Sequence, residues 1–227
     1  MRFPIAPCAA SRGPADRHSL PELAPGAAPA VGFATAAIEG AAAFSPCGRY
    51  RWWLRRRWAP AAAQLVFVGL NPSRADGGRD DPTLRRLVGF ARAWGYGGLE
   101  VLNLFARISV RPVALRRCPD PVGDRCDAWI RRRLRRLAAR EAGGSVWLGW
   151  GNGGGWRGRD VVVLQLLAAE GWAPLCLGRT GSGQPRHPLY LPRGGSLQPY
   201  APSCGGPSGC SSPLPPWPAF PVATPST

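Results

Sequence analysis

A short apolar run from Leu65 to Val68 is followed at once by the residues Gly-Leu-Asn-Pro-Ser. Four consecutive apolar residues, two of them β-branched, are typical of a strand that is buried on both faces. Gly69 permits a tight turn there, and Pro72 biases Asn71 away from helical backbone angles. The segment therefore predicts a buried strand whose carboxyl end presents Asn71 to a ligand. An ordinary Asn-Pro turn explains the same residues and stays open as an alternative.

Apolar runs and helical spacings alternate along the rest of the chain. The apolar runs that predict strands lie at 65–68, 99–105, 145–150 and 174–178. The segments that predict helices lie at 82–94, 124–142 and 160–170. Strand and helix in alternation predict an α/β fold whose sheet is mainly parallel and four-stranded. Ligands of such sheets gather beyond the carboxyl ends of the strands, so the loops after the strands carry the candidate site.

Basic and aromatic residues alternate in part over residues 49–58, just before the first predicted strand. This pattern predicts a strand or hairpin arm, and two interpretations of it stay open. Arginines on an edge strand discourage edge-to-edge pairing, and the same mixture of Arg and Trp grips phosphates and stacks bases in single-strand binders. The predicted nucleic-acid contacts are Arg49, Arg51, Arg55, Arg56, Arg57 and Arg74.

Composition divides the chain into one domain and two tails. Residues 1–43 are rich in Ala and Pro, and residues 201–227 hold no charged side chain, so neither segment is expected to fold alone. A single domain is predicted over residues 44–200. The formal net charge of +16 favours a polyanionic partner, for which DNA is the natural candidate. A GC-rich genome also explains why all 29 basic residues are Arg.

Cysteine and histidine usage predicts no cofactor and no metal site. The chain has seven Cys without a C-x-x-C pair and only two His, which excludes the common zinc and cluster patterns. Prolines interrupt the apolar segment that a signal peptide needs, and the apolar run at 31–44 is too short to span a bilayer. These features predict a cytoplasmic protein without membrane association. No feature identifies a protein partner, so a monomer is expected.

Six short motifs follow one another between Phe44 and Tyr200. They are Leu-Asn-Pro-Ser at 70–73, Ala-Asp at 75–76, Asp-Asp-Pro-Thr at 80–83, Asn-Leu-Phe at 103–105, Trp-Gly-Asn at 150–152 and Gly-Gln-Pro-Arg-His-Pro-Leu-Tyr at 183–190. This set resembles the uncharacterised bacterial family called domain of unknown function 1643. Motif order and strand placement are also similar, more loosely, to the uracil-DNA glycosylase superfamily. That second resemblance implies a three-layer α/β/α sandwich.

The glycosylase resemblance implies roles for residues at the strand ends. Asn71 would orient the attacking water, Asn103 would hydrogen-bond the edge of an extruded base, and His187 would donate to a base oxygen as the leaving group gains charge. The further substrate-binding candidates that the motifs supply are Ser73, Phe105, Asn152 and Arg186. Glycosylases of this kind carry an aromatic residue for base stacking near the position of Ser73, and this chain departs from that pattern.

Three carboxylates near Asn71 have no glycosylase counterpart, namely Asp76, Asp80 and Asp81. Of these, Asp76 is taken as a candidate catalytic residue, because a carboxylate is able to act as a general base where an amide is not. Carboxylates beside an Asn are also ligands for a divalent ion. As a third alternative, they cap a helix that begins with Pro82 and pair with neighbouring arginines.

The sequence thus predicts a nucleic-acid-acting enzyme of the DNA-glycosylase type, which hydrolyses the N-glycosidic bond of an extruded base. Two other functions stay open. One is a non-catalytic nucleic-acid-binding protein on the same fold, and the other is an enzyme that acts on small nucleotides.

Overall fold

The computed structural model describes residues 37–192 and 194–202. Its strands are β1 (Glu39–Phe44), β2 (Arg51–Arg57), β3 (Gln64–Gly69), β4 (Gly98–Asn103), β5 (Gly144–Leu148), β6 (Leu175–Cys176) and β7 (Gln198–Pro199). Its α-helices are α1 (Pro82–Ala93), α2 (Pro112–Arg116), α3 (Cys126–Ala138) and α4 (Arg159–Ala169). Most of the two predicted tails lies outside the described residues. Strand β1, however, begins at Glu39, inside the segment predicted as the first tail.

One mixed sheet of seven strands, in the order β1-β2-β4-β3-β5-β6-β7, organises the domain and confirms the α/β class. Strands β4, β3, β5 and β6 run parallel, and they correspond to the predicted strands. The prediction of a four-stranded sheet is corrected, since β1, β2 and β7 extend it with antiparallel pairings. The segment between β4 and α3 also contains the short helix α2.

Strand β2 is an inner strand of the sheet, not an edge arm, because it pairs with β1 on one side and β4 on the other. Its Trp52 and Trp53 are buried, and each stacks on Trp129 of α3 with ring centroids 6.1 Å apart. These tryptophans are therefore part of the core and cannot stack on the bases of a nucleic acid.

Apolar side chains from β3 alternate between two hydrophobic clusters, as a strand buried on both faces requires. Val66 and Val68 belong to a cluster with the apolar residues of α3 and α4. Leu65 and Phe67 belong to a second cluster with those of α1 and with Trp147. The strand is thus held rigidly, and its carboxyl end at Gly69 is a fixed platform for the loop that follows. None of the described helices combines the length and the apolarity that crossing a bilayer requires.

Candidate functional site

A cavity of about 380 Å³ lies at the carboxyl ends of β3 and β4, where Gly69 and Asn103 are register partners. Asn71, Asn103 and His187 all line this cavity. These three residues are distant in sequence but lie around one cavity. They are the residues to which the glycosylase resemblance gives roles in one site. Ser73 lines the same cavity.

Asn71 has a fixed amide orientation. Its Nδ2 donates to the carbonyl oxygen of Ser109 at 2.7 Å and to that of Pro72 at 2.9 Å. Since these two bonds use both N–H groups of the amide, the assignment of its oxygen and nitrogen follows from the network. Oδ1 is left as an acceptor that is able to orient a water molecule.

Asn103 is the last residue of β4 and is buried, with 5% of its surface exposed. Its Nδ2 has no hydrogen-bond acceptor among the described residues. A Cβ on Gly69 would lie 3.2 Å from Asn103 Oδ1 and 2.9 Å from Phe67 Cε1, so only glycine leaves both side chains in place. Because buried polar groups are normally paired, an unpaired donor on a residue that lines a cavity indicates a ligand with an acceptor.

His187 is half-buried in the cavity lining and belongs to the loop before a 3₁₀ turn at Pro188–Tyr190. Its Nδ1 accepts from the backbone N–H of Leu189 at 3.3 Å, which places the proton of the neutral ring on Nε2. Arg86 of α1 donates to the carbonyl oxygen of Pro188 at 2.8 Å and also to that of Leu191, which ties this loop to the helix. His187 is therefore a neutral, positioned hydrogen-bond donor.

Burial lowers the pKa of His187 below its usual 6.5, while the charge of Asp81 acts in the opposite direction. We expect the ring resonances of His187 to titrate below pH 6.5 in an NMR experiment. Only one other histidine exists, His18, so a His18→Gln variant assigns the signals. Because the folded-state pKa is depressed, neutral His187 contributes its stability fully above pH 6.5, and that contribution is lost as the pH falls through the lower value. A titration at or above pH 6.5 would contradict this assignment.

Arg51, predicted as a nucleic-acid contact, is buried and lines the cavity. Its Nη1 donates to the carbonyl oxygen of Ala75 at 2.6 Å, and its Nε has no acceptor among the described residues. Burial lowers the pKa of this guanidinium to about 10, with the charges of Asp81 and Asp76 acting against the shift. Arg51 therefore stays charged at neutral pH and brings a positive charge to the cavity.

Several cavity residues were missed in the sequence because they come from apolar or capping positions. Phe67 and Trp150 are buried and supply aromatic surface, and Asp81 lines the cavity while its Oδ1 accepts from Leu84 N at 2.8 Å to cap α1. Tyr190 is 77% exposed and also lines the cavity. The only sequence signal for Tyr190 is its place in the His-Pro-Leu-Tyr motif. Tyr190 supplies an exposed aromatic ring to the cavity lining, whereas Ser73 has no ring.

Four of the predicted catalytic and substrate-binding residues do not line the cavity. Asp76 Oδ1 accepts from the backbone N–H groups of Gly78 and Arg79 at 2.8 and 2.7 Å, and these bonds lower its pKa. Oδ1 of this carboxylate thus closes a turn, outside the lining of the cavity that holds Asn71. The other three residues lie in different environments. Phe105 is fully buried against Trp156, and the side-chain oxygen of Asn152 accepts a hydrogen bond from Ser182. Arg186 is exposed.

The carboxylates near Asn71 have separate structural roles. Asp80 forms an ion pair with Arg56 at 2.6 Å, and Arg56 also donates to the carbonyl oxygens of Asp76 and Gly77. Arg56 is buried and holds this loop, so it is not available to a nucleic acid. Across residues 37–192 and 194–202, no three His, Cys, Asp or Glu side chains come close enough to hold a metal ion together.

The remaining predicted contacts have different environments. Arg55 stacks on the ring of Trp53, and Arg57 pairs with Glu39 at 2.5 Å. Arg49 and Arg74 are exposed. Arg49 lines an open groove, and we call this groove the basic groove after its arginines, which are Arg49, Arg107, Arg111 and Arg117. The single carboxylate in its lining is Asp120.

The basic groove and the cavity share one connecting segment. Ser109 and Val110 line the cavity, whereas Arg107 and Arg111 on either side of them line the groove. The basic groove and the cavity are therefore neighbours along this segment.

Comparison with known proteins identifies one match, which spans β2 to the 3₁₀ turn after His187. Residues 51–189 match the model of a family described as Protein of unknown function (DUF1643). The match confirms the family that the motifs predict, and it includes Arg51, Asn71, Asn103 and His187. No curated protein and no solved structure matches the chain, so no comparison supports the looser similarity to glycosylases.

Proposed function

The chain belongs to the DUF1643 family, and from its cavity we propose that it is a nucleic-acid-acting enzyme of the DNA-glycosylase type. It hydrolyses the N-glycosidic bond of a base that has been extruded into the cavity. The observation that carries the proposal is the convergence of Asn71, Asn103 and His187 on one cavity at the carboxyl ends of parallel strands. We further propose that the sheet and its two hydrophobic clusters form a three-layer α/β/α sandwich of the glycosylase kind.

The three polar residues divide the reaction between them. Asn71 Oδ1 accepts a hydrogen bond from water and orients its oxygen toward the sugar carbon C1′. The new C1′–O bond forms as the C1′–N bond breaks, and the bonding electrons leave with the base. His187 Nε2–H donates to a base oxygen on which this negative charge develops. The proton that water loses passes through solvent to the departed base, because an amide at position 71 cannot accept it.

Recognition of the base uses the unpaired donor and the aromatic lining. Asn103 Nδ2 donates to an acceptor on the base edge, and the ring of Phe67 supplies apolar surface to the same cavity lining. Tyr190, with its exposed ring, stacks on the extruded base or on its neighbour. A base that is already unpaired or mismatched is favoured, because less stacking and pairing energy is lost when it is extruded.

The basic groove binds the phosphates of the strand. Replacing Arg111 and Arg117 by Gln should weaken DNA binding and reduce the slope of log K against log salt by about 0.9 for each duplex phosphate that is no longer neutralised. The matched control is Arg131→Gln with Arg136→Gln, which removes the same charge from exposed positions of α3. Fluorescence anisotropy at several salt concentrations measures the DNA affinity and its salt dependence for both double variants. Equal slopes for the two double variants would assign binding to overall charge and not to the groove.

Product formation tests the proposed activity directly. The full chain is incubated with oligonucleotides that carry uracil, hypoxanthine or a mismatched base, and alkaline treatment then cleaves any abasic site. We expect cleavage of at least one substrate and its loss in an Asn103→Ala variant that keeps the thermal stability of the parent. Absence of cleavage across the panel, together with salt-dependent binding, would instead establish a non-catalytic nucleic-acid-binding protein.

A further inference from the structure

Arg51 differs from every other buried arginine that the structure describes. Four arginines in the described residues are buried, and three of them pair with a carboxylate. These pairs join Arg56 to Asp80, Arg133 to Glu100 and Arg159 to Asp127. No carboxylate oxygen of a described residue lies within 4.0 Å of the Arg51 guanidinium.

A buried charge without a partner is costly, so an unpaired one indicates a binding role. Among the described residues, Arg51 makes a single side-chain hydrogen bond, from Nη1 to the Ala75 carbonyl oxygen. Its Nε is buried without an acceptor, and Nη2 makes no hydrogen bond to a described residue. These two nitrogens form the edge by which a guanidinium binds two oxygens of one anion. Arg51 belongs to the lining of the cavity, so its guanidinium lies beside the space that a ligand would occupy.

The rest of the cavity favours the same kind of ligand. Asn103 Nδ2 is a second buried donor without an acceptor, so the unpaired atoms contributed by Arg51 and Asn103 are all donors. Thr83 in the first turn of α1 also lines the cavity, and a helix N-terminus favours negative charge. Asp81 is the one carboxylate in the lining, and its Oδ1 is used to cap α1.

We propose that Arg51 binds a phosphate group of the substrate inside the cavity, next to the residues that hold the base. The proposal rests on the proposed function for the location of the substrate. The substrate is then recognised as a nucleotide and not as a base alone. Two sources supply this phosphate, either the strand linkage beside an extruded nucleotide or the phosphate of a free nucleotide.

Binding measurements without turnover test this role. Titration calorimetry of the full chain compares inorganic phosphate, a nucleoside 5′-monophosphate and the corresponding nucleoside. We expect the monophosphate to bind at least about tenfold more tightly than the nucleoside, since hydrogen bonds to charged groups are among the strongest. Arg51→Gln should remove this preference, and Arg51→Lys should restore part of it, because Lys keeps the charge without the planar fork.

Arg92→Gln is the matched control, because it removes one positive charge from the exposed surface of α1 outside the cavity lining. It should leave the preference for the monophosphate unchanged. Thermal denaturation of each variant confirms folding. An Arg51→Gln variant that is folded and still prefers the monophosphate would overturn the proposal.

A second arm identifies the source of the phosphate. Single-stranded oligonucleotides are compared with versions in which neutral methylphosphonates replace the linkages beside one target nucleotide. If the methylphosphonate substitution lowers the affinity of the parent but not that of Arg51→Gln, the phosphate bound by Arg51 is the strand linkage. If phosphate increases affinity only in the free monophosphate, the phosphate belongs to a small nucleotide. No dependence on phosphate in either arm refutes the role of Arg51. Phosphate-dependent binding without base release in the cleavage panel would refute the glycosylase activity alone.

Discussion

Glu100→Gln is expected to lower the free energy of unfolding by about 3 kcal/mol, because it removes one partner of a buried ion pair. Glu100 Oε2 accepts from Arg133 Nε at 2.6 Å and from Trp53 Nε1 at 2.9 Å. Both charged side chains are nearly buried, with 12% and 8% of their surfaces exposed. A Gln at position 100 places an amide N–H group next to the Arg133 guanidinium. Both groups are hydrogen-bond donors, so neither accepts from the other.

The cost comes from the uncompensated charge and not from the loss of the pair as such. Removing both charges in a Glu100→Gln, Arg133→Met double variant should therefore recover much of the lost stability. Arg135→Gln is the matched control on the same helix, since it breaks the pair with Glu170, in which Arg135 is exposed, and should have a small effect. Urea denaturation measures all the variants. Equal destabilisation in Glu100→Gln and Arg135→Gln would contradict the assigned importance of burial.

Apolar runs predicted the parallel strands because β3 and β4 are buried on both faces, and helical spacing predicted the longer helices because their side chains alternate between core and solvent. For β2 the alternating pattern predicted a strand or hairpin arm, but it did not predict that Arg51 and Arg56 are buried. Their burial depends on acceptors that only the folded chain supplies, namely the Ala75 carbonyl oxygen and the Asp80 carboxylate. Strand β7 could not be predicted either, since its two residues form a strand only by pairing with Leu175–Cys176.

The candidate site was predictable where a residue follows a strand directly. Asn71 and Asn103 come at or just after the carboxyl ends of β3 and β4, so the strands alone predict that they are neighbours. Arg51 lies at the amino end of an antiparallel strand, which reaches the same edge of the sheet by pairing with β4. Asp76 does not line the cavity, and the Asp-Gly-Gly sequence that it begins is typical of a turn.

Asn71→Ala is expected to reduce the rate of base release by about 100-fold or more, with the fold retained. Asn71 is the only cavity amide whose N–H groups are both held by carbonyl oxygens among the described residues, so its oxygen has a fixed direction. Alanine removes the acceptor that orients water. It leaves Asn103, His187 and Arg51 in place, and binding of a nucleotide should therefore change little while the rate falls.

Asn152→Ala is the matched control, because Asn152 is an exposed asparagine that does not line the cavity. Single-turnover cleavage assays give the rate for each variant, and titration with a monophosphate gives its affinity. A large fall in rate at unchanged affinity for Asn71→Ala alone supports the orientation of water by Oδ1. Equal effects of the two substitutions, or a fall in affinity that accounts for the whole loss of rate, would show that Asn71 acts in binding and not in the chemical step.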